Sequence, residues 1–406
     1  MSKKISIGVC ISLIIVACAV TFVVTWTVSF NMYNDLLPGV PERDAISSKL
    51  QEIDSFVRNN FLYDVNDDDI SHGIFSGYVA GLGDAHTAYL PASMHRQRLA
   101  EEGGQLVTVG VRAEPEGSGY LQVSEVYIGS PAESAGILVG DVIIEVDGIN
   151  VLEAGASVAL ELLDGEEYTP VSLTTQREGQ TFIHPLIRQS VDLISVETDV
   201  VDEIGFMRIT SFNALTANQF ESGVQTFVQS GVRAMLFDLR DNDSSVFAPV
   251  NSMVNLLVGG GTIARSEHRG EVTRDFIVTD DSVILPSAMQ NIPIVVLTNS
   301  RTSGAGELFA TILRMYSGAQ IVGSGTAGNA YLQQTQELRD GSAIRVTVAR
   351  ISLVNGFTFA GTGITPCFAV EKETPVSYVI AELRDRELSE IADVQIRRAF
   401  EIINTN

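Results

Sequence analysis

The chain has 406 residues, 45% of them apolar, which is more than one hydrophobic core ordinarily organises and enough to bury two or three compact units. Fifty acidic against 26 basic residues give a formal net charge of -24, and a surface of that sign repels phosphate backbones, excluding nucleic acid as a partner. The three cysteines, Cys10, Cys18 and Cys367, exclude a disulfide framework and a zinc cluster, and no motif calls for a metal or cofactor.

Lys3 and Lys4 precede an apolar run over residues 5–30, with no further charge before Asp35. At about 1.5 Å per residue a helix of this run clears a hydrocarbon layer of roughly 30 Å, and basic residues on its short side keep the N-terminus in the cytoplasm. The expectation is a single-pass anchor over 1–34, with the bulk of the chain outside the cytoplasm at the cell membrane. A cleaved signal peptide and lipidation at Cys18 are the alternatives. The run continues well past Cys18, which favours an uncleaved anchor.

Residues 35–100 read as a helical region, with apolar positions at helical spacing in AISSKLQEIDSFVRNNFL and ISHGIFSGYVAGL. Between them Asp64, Asn66 and Asp68 have the spacing of calcium-loop ligands. Asp69 stands where that loop needs glycine and Phe75 where it needs glutamate, so a solvated helix start is expected instead. Residues 101–188 change to short alternating strands punctuated by Gly and Pro, with one helical pattern, ASVALELL. Over 189–380 strand and helix alternate. Runs such as AMLFDL and PIVVL suit strands buried on both faces of a mostly parallel sheet, and a charged helix is expected over 381–406.

The stretch IGSPAESAGILVGDVIIEVDGINV, residues 128–151, resembles a PDZ domain, with Gly136 and Gly140 at tight turns, Asp141 opening a strand and Gly148 in a hairpin. The resemblance implies binding of polypeptide C-termini or unstructured peptides by strand addition, the carboxylate held on a loop near Val109, Gly110 and Val111. A β domain serving only as a spacer is the alternative.

Further on, NSRTSGAGELFATI (299–312) joins a buried strand to a helix through a turn of small residues, where a helix N-terminus offers unpaired N–H groups to an oxyanion or carboxylate. With GLGDAHTAYL, IGFMRITSF, AMLFDLRDN, IVVLTN, GAQIVGSGT, LRDGSAIRVTVA and GTGITP in order, residues 45–375 resemble the C-terminal processing, or tail-specific, serine peptidases. That resemblance implies an α/β core of the ClpP/crotonase-like type carrying an inserted PDZ domain, no cofactor, and a homo-oligomer, dimeric or larger.

The family's catalytic turn reads SASASE and its base lies in TFGKG. Anchored on Glu307, the nucleophile position is Gly304; anchored on Gly323 and Thr326, the base position is Asn329. Gln333 matches a third family group, with an ordinary strand residue as the alternative. Ser244 and Ser245 stand where the family's oxyanion-loop glycines would be, and Asp243 replaces a proline. Ser303 or Thr302 could serve as a displaced nucleophile, but the only lysines are Lys3, Lys4, Lys49 and Lys372, so residues 50–371 hold none. Arginine stays protonated and cannot stand in. Ser303 is expected to cap the helix after it, His268 to lie in a surface loop, and His86 to pack or orient a loop. A membrane-anchored, non-hydrolytic peptide binder is the leading reading; a peptidase with a displaced nucleophile and a purely structural protein are the others.

Overall fold

The computed structural model describes residues 7–36, 40–258, 261–270, 273–278, 285–286, 289–370, 383 and 390–405. It divides into two compact units, Met1–Ile74 and Phe75–Asn406.

In the first unit the apolar run forms one helix, Ile7–Leu36, followed by helix Val40–Asn60. Ile15, Val16, Val20, Phe22 and Trp26 on the first helix are exposed. Among the described residues, however, no helix is long and apolar enough to cross a membrane, so the spanning helix expected from residues 5–30 is not found there. The acidic stretch after the second helix behaves as a helix start. The Asn66 side chain accepts the Asp68 N–H at 3.0 Å, and Asp67, Asp68 and Asp69 fill the first turn of helix Asp67–Ala80, where acids offset the positive end of the helix.

The second unit carries three larger sheets. A six-stranded sheet runs Val196–Val201, Ile204–Ile209, Ala234–Asp238, Ile294–Thr298, Gln320–Gly323, Phe368–Ala369; its first pair is antiparallel and the rest parallel. Side chains alternate between its faces. Met207, Met235, Phe237, Ile294 and Val296 pack with helices Thr216–Ser230, Ala248–Leu257 and Ala305–Tyr316, where Phe309 meets Phe212, Phe220 and Phe237 edge-on. Phe206, Leu236, Val295 and Leu297 face the other way onto Ile396, Phe400 and Ile403 of helix Val394–Thr405. Buried Arg240 fastens that helix: it holds Asp238 on the sheet (2.7 Å) and Asp393 at the helix start (2.7 Å). Of the charged C-terminal helix expected over 381–406, the described residues show Val394–Thr405, and residues 371–382 and 384–389 lie outside the described residues.

A second, antiparallel sheet joins Ala88–Leu90, Ala343–Leu353, Gly261–His268 and Thr273–Val278, with Tyr331–Glu337 also on Ala343–Leu353. It corrects two expectations. Ala88–Leu90 is a strand within the region read as helical, because it pairs with Ala343–Arg345 far along the chain. His268 ends a strand, half-buried, with Nε2 3.1 Å from Ser266 Oγ, rather than lying in a loop.

The third sheet, in the order Val111–Pro115, Leu121–Val126, Val142–Val146, Pro170–Arg177, Gln180–Ile187, encloses its own core of Val109, Leu121, Ile143, Val151 and Leu173, closed by helix Ala156–Leu163. Buried Asp141 ties its turn together, receiving the Arg177 Nε (2.5 Å) and Nη2 (2.7 Å) and the Leu138 N–H (3.0 Å). Burial pushes the Asp141 pKa up, but the bonds from Arg177 and Leu138 outweigh it and hold the group below its ordinary 3.8.

Two outcomes follow from this packing. Phe309→Ala should lower unfolding free energy by about 3–5 kcal/mol in urea titration, since three rings lose their common partner. Asp141→Asn should cost about 2 kcal/mol at pH 7. A depressed pKa stabilises above the unfolded value and loses its effect as pH falls through the folded one, so wild-type and variant curves should converge in acid below pH 3.8.

Candidate active site

Strand Ile294–Thr298 ends in a tight turn whose corner is Gly304, with φ 58 and ψ -111, and helix Ala305–Tyr316 begins immediately after. That dihedral pair is open to glycine and strained for any other residue. A Cβ placed on Gly304 would also lie 2.5 Å from the Ser244 carbonyl oxygen, well inside van der Waals contact. The position at which the family resemblance expects a serine is therefore strained for any side chain and, in this conformation of the Ser244 loop, closed by a neighbouring carbonyl.

That loop also occupies the helix N-terminus. Ala305 N–H donates to the Ser244 carbonyl (2.9 Å) and Ser303 N–H to the Asn242 carbonyl (2.8 Å), while Gly306 N–H reaches the Ser303 carbonyl (3.2 Å). A carbonyl oxygen thus sits on the donor an oxyanion would need. Neither Ser244 nor Ser245 adopts positive φ; the loop takes its left-handed residue at Asp241, φ 62, which Asn299 and Arg301 hold through its carboxylate. Ser244 Oγ donates to the Phe212 carbonyl (3.0 Å), and Ser245 Oγ accepts from Arg98 Nη2 (2.9 Å).

The group that organises this corner is Glu307, which served in the sequence only as a register mark. It is fully buried. Oε2 accepts the N–H of Gly304 (3.0 Å) and of Asn329 (2.8 Å); Oε1 accepts the Gly328 N–H (2.7 Å) and the Thr326 hydroxyl. One carboxylate thereby joins the nucleophile-position turn to the base-position turn. Burial pushes its pKa above the ordinary carboxylate value, while the Thr326 hydroxyl and the three backbone N–H groups pull the other way. The signal was available: an acid three residues past the N-cap in the apolar run AGELFATIL is a capping pattern.

This arrangement corrects the expected cap. Gly304, not Ser303, is the N-cap, and no side chain caps the helix through Ser303. Ser303 is half-buried. Thr302 is fully buried and its hydroxyl is committed: it donates to the Leu239 carbonyl (2.9 Å) and accepts the Asn299 N–H (3.0 Å).

Asn329, Gln333, Ser244 and Ser245 line a cleft of about 980 Å³ that also takes in His86, Arg98, Arg345 and residues Ser124–Ile128 of the third sheet. Gly304, Ser303 and His268 do not line it. Asn329 is buried, its Oδ1 3.4 Å from the Tyr331 N–H, and Gln333 Nε2 donates to the Tyr331 carbonyl (2.8 Å). The His86 ring packs 5.2 Å from that of Tyr331, as a packing residue would.

On the third sheet, Val109 and Val111 are core residues. Their loop's polar groups are engaged: the Val109 carbonyl accepts Ala132 N–H (2.9 Å), the Gly110 carbonyl accepts Tyr127 N–H (2.9 Å), and Gly110 N–H donates to Thr108 Oγ1 (3.3 Å). Gly110 has φ 93 and lies so close to Ser130 that a side chain would collide with it. Strand Val111–Pro115 is an edge of its sheet, paired on one side only with Leu121–Val126.

Residues 203–370 match peptidase family S41 and residues 122–177 match a PDZ domain. The chain is 25% identical over 362 residues to a CtpA-like serine protease of Staphylococcus aureus, covering 89% of this chain and 72% of that one. The chain is similar to the C-terminal processing peptidases through its peptidase family S41 segment and its PDZ domain. A CtpA-like serine protease of Staphylococcus haemolyticus is 26% identical over 325 residues, 80% of this chain and 64% of the relative. The fold is shared with an S41 protease structure from Bacteroides fragilis, 17% identical, with a TM-score of 0.52 and coverage of 87% and 97% of the two chains.

Glu307→Gln, which turns an acceptor toward N–H donors into a donor, should lower stability by about 2–4 kcal/mol in thermal or urea unfolding, with Glu307→Asp milder. Gly304→Ala should cost at least about 1–3 kcal/mol from backbone strain, with the contact to the Ser244 carbonyl added to it, in the same unfolding measurements.

Proposed function

We propose that this C-terminal processing peptidase homologue is a non-hydrolytic peptide-binding protein, anchored in the cell membrane with its bulk outside the cytoplasm. The observation that carries the first half is the Ser244 carbonyl: it takes the Ala305 N–H and fills the space a side chain at Gly304 would enter. An acyl-transfer site needs a hydroxyl, a base and free N–H donors converging on one point. Gly304 supplies no hydroxyl, Asn329 cannot take a proton near neutral pH, and the core from residue 50 to residue 371 contains no lysine. The half-buried Ser303 is the remaining hydroxyl of the turn and has no base to activate it there.

Peptide binding is supported by the PDZ match and by the edge strand Val111–Pro115, whose outer backbone can take an added strand. Membrane attachment is supported by the sequence, Lys3-Lys4 before the apolar run, and by the exposure of Ile15, Val16, Phe22 and Trp26 around helix Ile7–Leu36. A helix apolar all round is stable only in an apolar surrounding. Membrane fractionation of the full chain tests this: recovery in the soluble fraction, uncleaved, would remove it.

The chain should bind extended peptides in fluorescence polarisation yet release no cleavage product after prolonged incubation, and a fluorophosphonate should leave Ser303 unlabelled. The double variant Gly304→Ser, Asn329→Lys should remain inert, because the new serine meets the Ser244 carbonyl. Labelling of Ser303, or turnover abolished by Ser303→Ala, would return the chain to the working peptidases.

A further inference from the structure

Among the described residues, the cleft contains a guanidinium with no ion pair of its own. Arg345 projects from strand Ala343–Leu353 into the cleft lining, half-buried, with an Nε that is shielded from solvent and has no hydrogen-bond partner. The cleft's other guanidinium groups, Arg208 among them, are engaged, the shielded Arg98 Nε by its proximity to Glu102. Arg240 holds Asp238 and Asp393, Arg98 holds Glu102 (2.8 Å) and Ser245, and Arg112 lies 3.8 Å from Glu125.

The acids nearest Arg345 are spoken for as well. Glu102 is engaged by Arg98, and Asp84 accepts the Thr87 hydroxyl (2.5 Å) and the His86 N–H (3.1 Å). Burial and the charge of Arg98 lower the Arg345 pKa, and Glu102 and Asp84 do not reverse the shift. A shielded guanidinium with an orphan donor beside a like charge is unfavourable in the empty cleft. It becomes favourable once an anion arrives.

We propose that Arg345, with Arg98 beside it, forms a carboxylate-binding subsite of the cleft, satisfied by a carboxylate of the bound peptide. The two Nη groups of a guanidinium match the two oxygens of a carboxylate, and such charge-assisted pairs are the strong ones. Glu101, Asp192, Glu197, Asp241 and Asp243 around the same cleft disfavour a multiply charged anion such as phosphate and leave a single negative charge as the fitting ligand. The carboxylate can come from the peptide's C-terminus or from an Asp or Glu side chain. This subsite rests on the reading that the cleft receives peptide.

The test is calorimetric titration of the full chain and of Arg345→Gln with three probes: the peptide Ac-Ala-Val-Ala-Ala with a free C-terminus, its C-terminal amide, and the amide with Glu in place of Val. The wild type should prefer one or both carboxylate-bearing probes over the plain amide by about tenfold, and Arg345→Gln should erase that preference while leaving the amide unchanged. Which probe loses affinity identifies the source of the carboxylate. Arg345→Gln should also melt at or above the wild-type temperature, because the unanswered charge is gone; a lower melting temperature would mean the guanidinium is already satisfied and would overturn the subsite. A preference that persists in Arg345→Gln, or no preference in the wild type, overturns it and leaves peptide binding standing. Failure of all three probes to bind the wild-type chain overturns both.

Discussion

The Glu307 carboxylate accepts hydrogen bonds from Gly304, Gly328, Asn329 and Thr326, and the geometry of the cleft hangs on that convergence. The turn at Gly304 and the loop at Asn329 belong to different elements, and neither has a regular ladder to fix it. Thr326 extends the connection, since its hydroxyl also accepts the Ile364 N–H (2.7 Å) and so draws in the glycine-rich segment before the last strand. A buried acid is expensive unless its lone pairs are used, and here both oxygens are. One carboxylate thus ties together the two turns that carry Gly304 and Asn329.

That combination separates scaffold from chemistry. The φ of 58 at Gly304 is the kind of strained corner that presents a reactive side chain in strand-turn-helix enzymes, and such strain persists only where the surroundings over-determine it. With glycine the strain vanishes and the loop of Ser244 can settle into the vacant space, its carbonyl on Ala305 N–H. The Ser244 carbonyl accepts the Ala305 N–H, and its loop is secured from behind by Ser244 Oγ on Phe212 and by Arg98 on Ser245.

How much of this the sequence carried depends on the range of the interactions. The central sheet was legible in AMLFDL and PIVVL because strands buried on both faces read as unbroken apolar runs, and the β domain was legible in its glycines and Asp141. The antiparallel second sheet was not. Gly261–His268 reads as a polar loop because half of its side chains face solvent, and Ala88–Leu90 is a strand only because Ala343–Arg345 pairs with it. In the site, Gly304 and Asn329 followed from register with a family pattern, whereas the cap misassigned to Ser303 and the role of Glu307 required knowing where the Asn242–Ser244 carbonyls lie. Contacts across the chain decide the cap and the far partners of Glu307; only the acid at the third helical position was a local signal.

The same distinction bears on what remains useful in a cleft without a nucleophile. Catalytic groups act on a reacting atom, but the groups that orient a peptide act along its length, and these are differently placed. The edge strand Val111–Pro115 offers backbone pairing, the 980 Å³ cleft continues from the Ser124–Ile128 side of that sheet to Asn329 and Gln333, and Arg345 stands in its wall. Each of these costs stability or solubility when empty: an unpaired strand edge invites aggregation, and a shielded cation loses hydration. Holding a peptide would relieve both without any bond being broken, which is the physical content of the proposal that the cleft binds peptide.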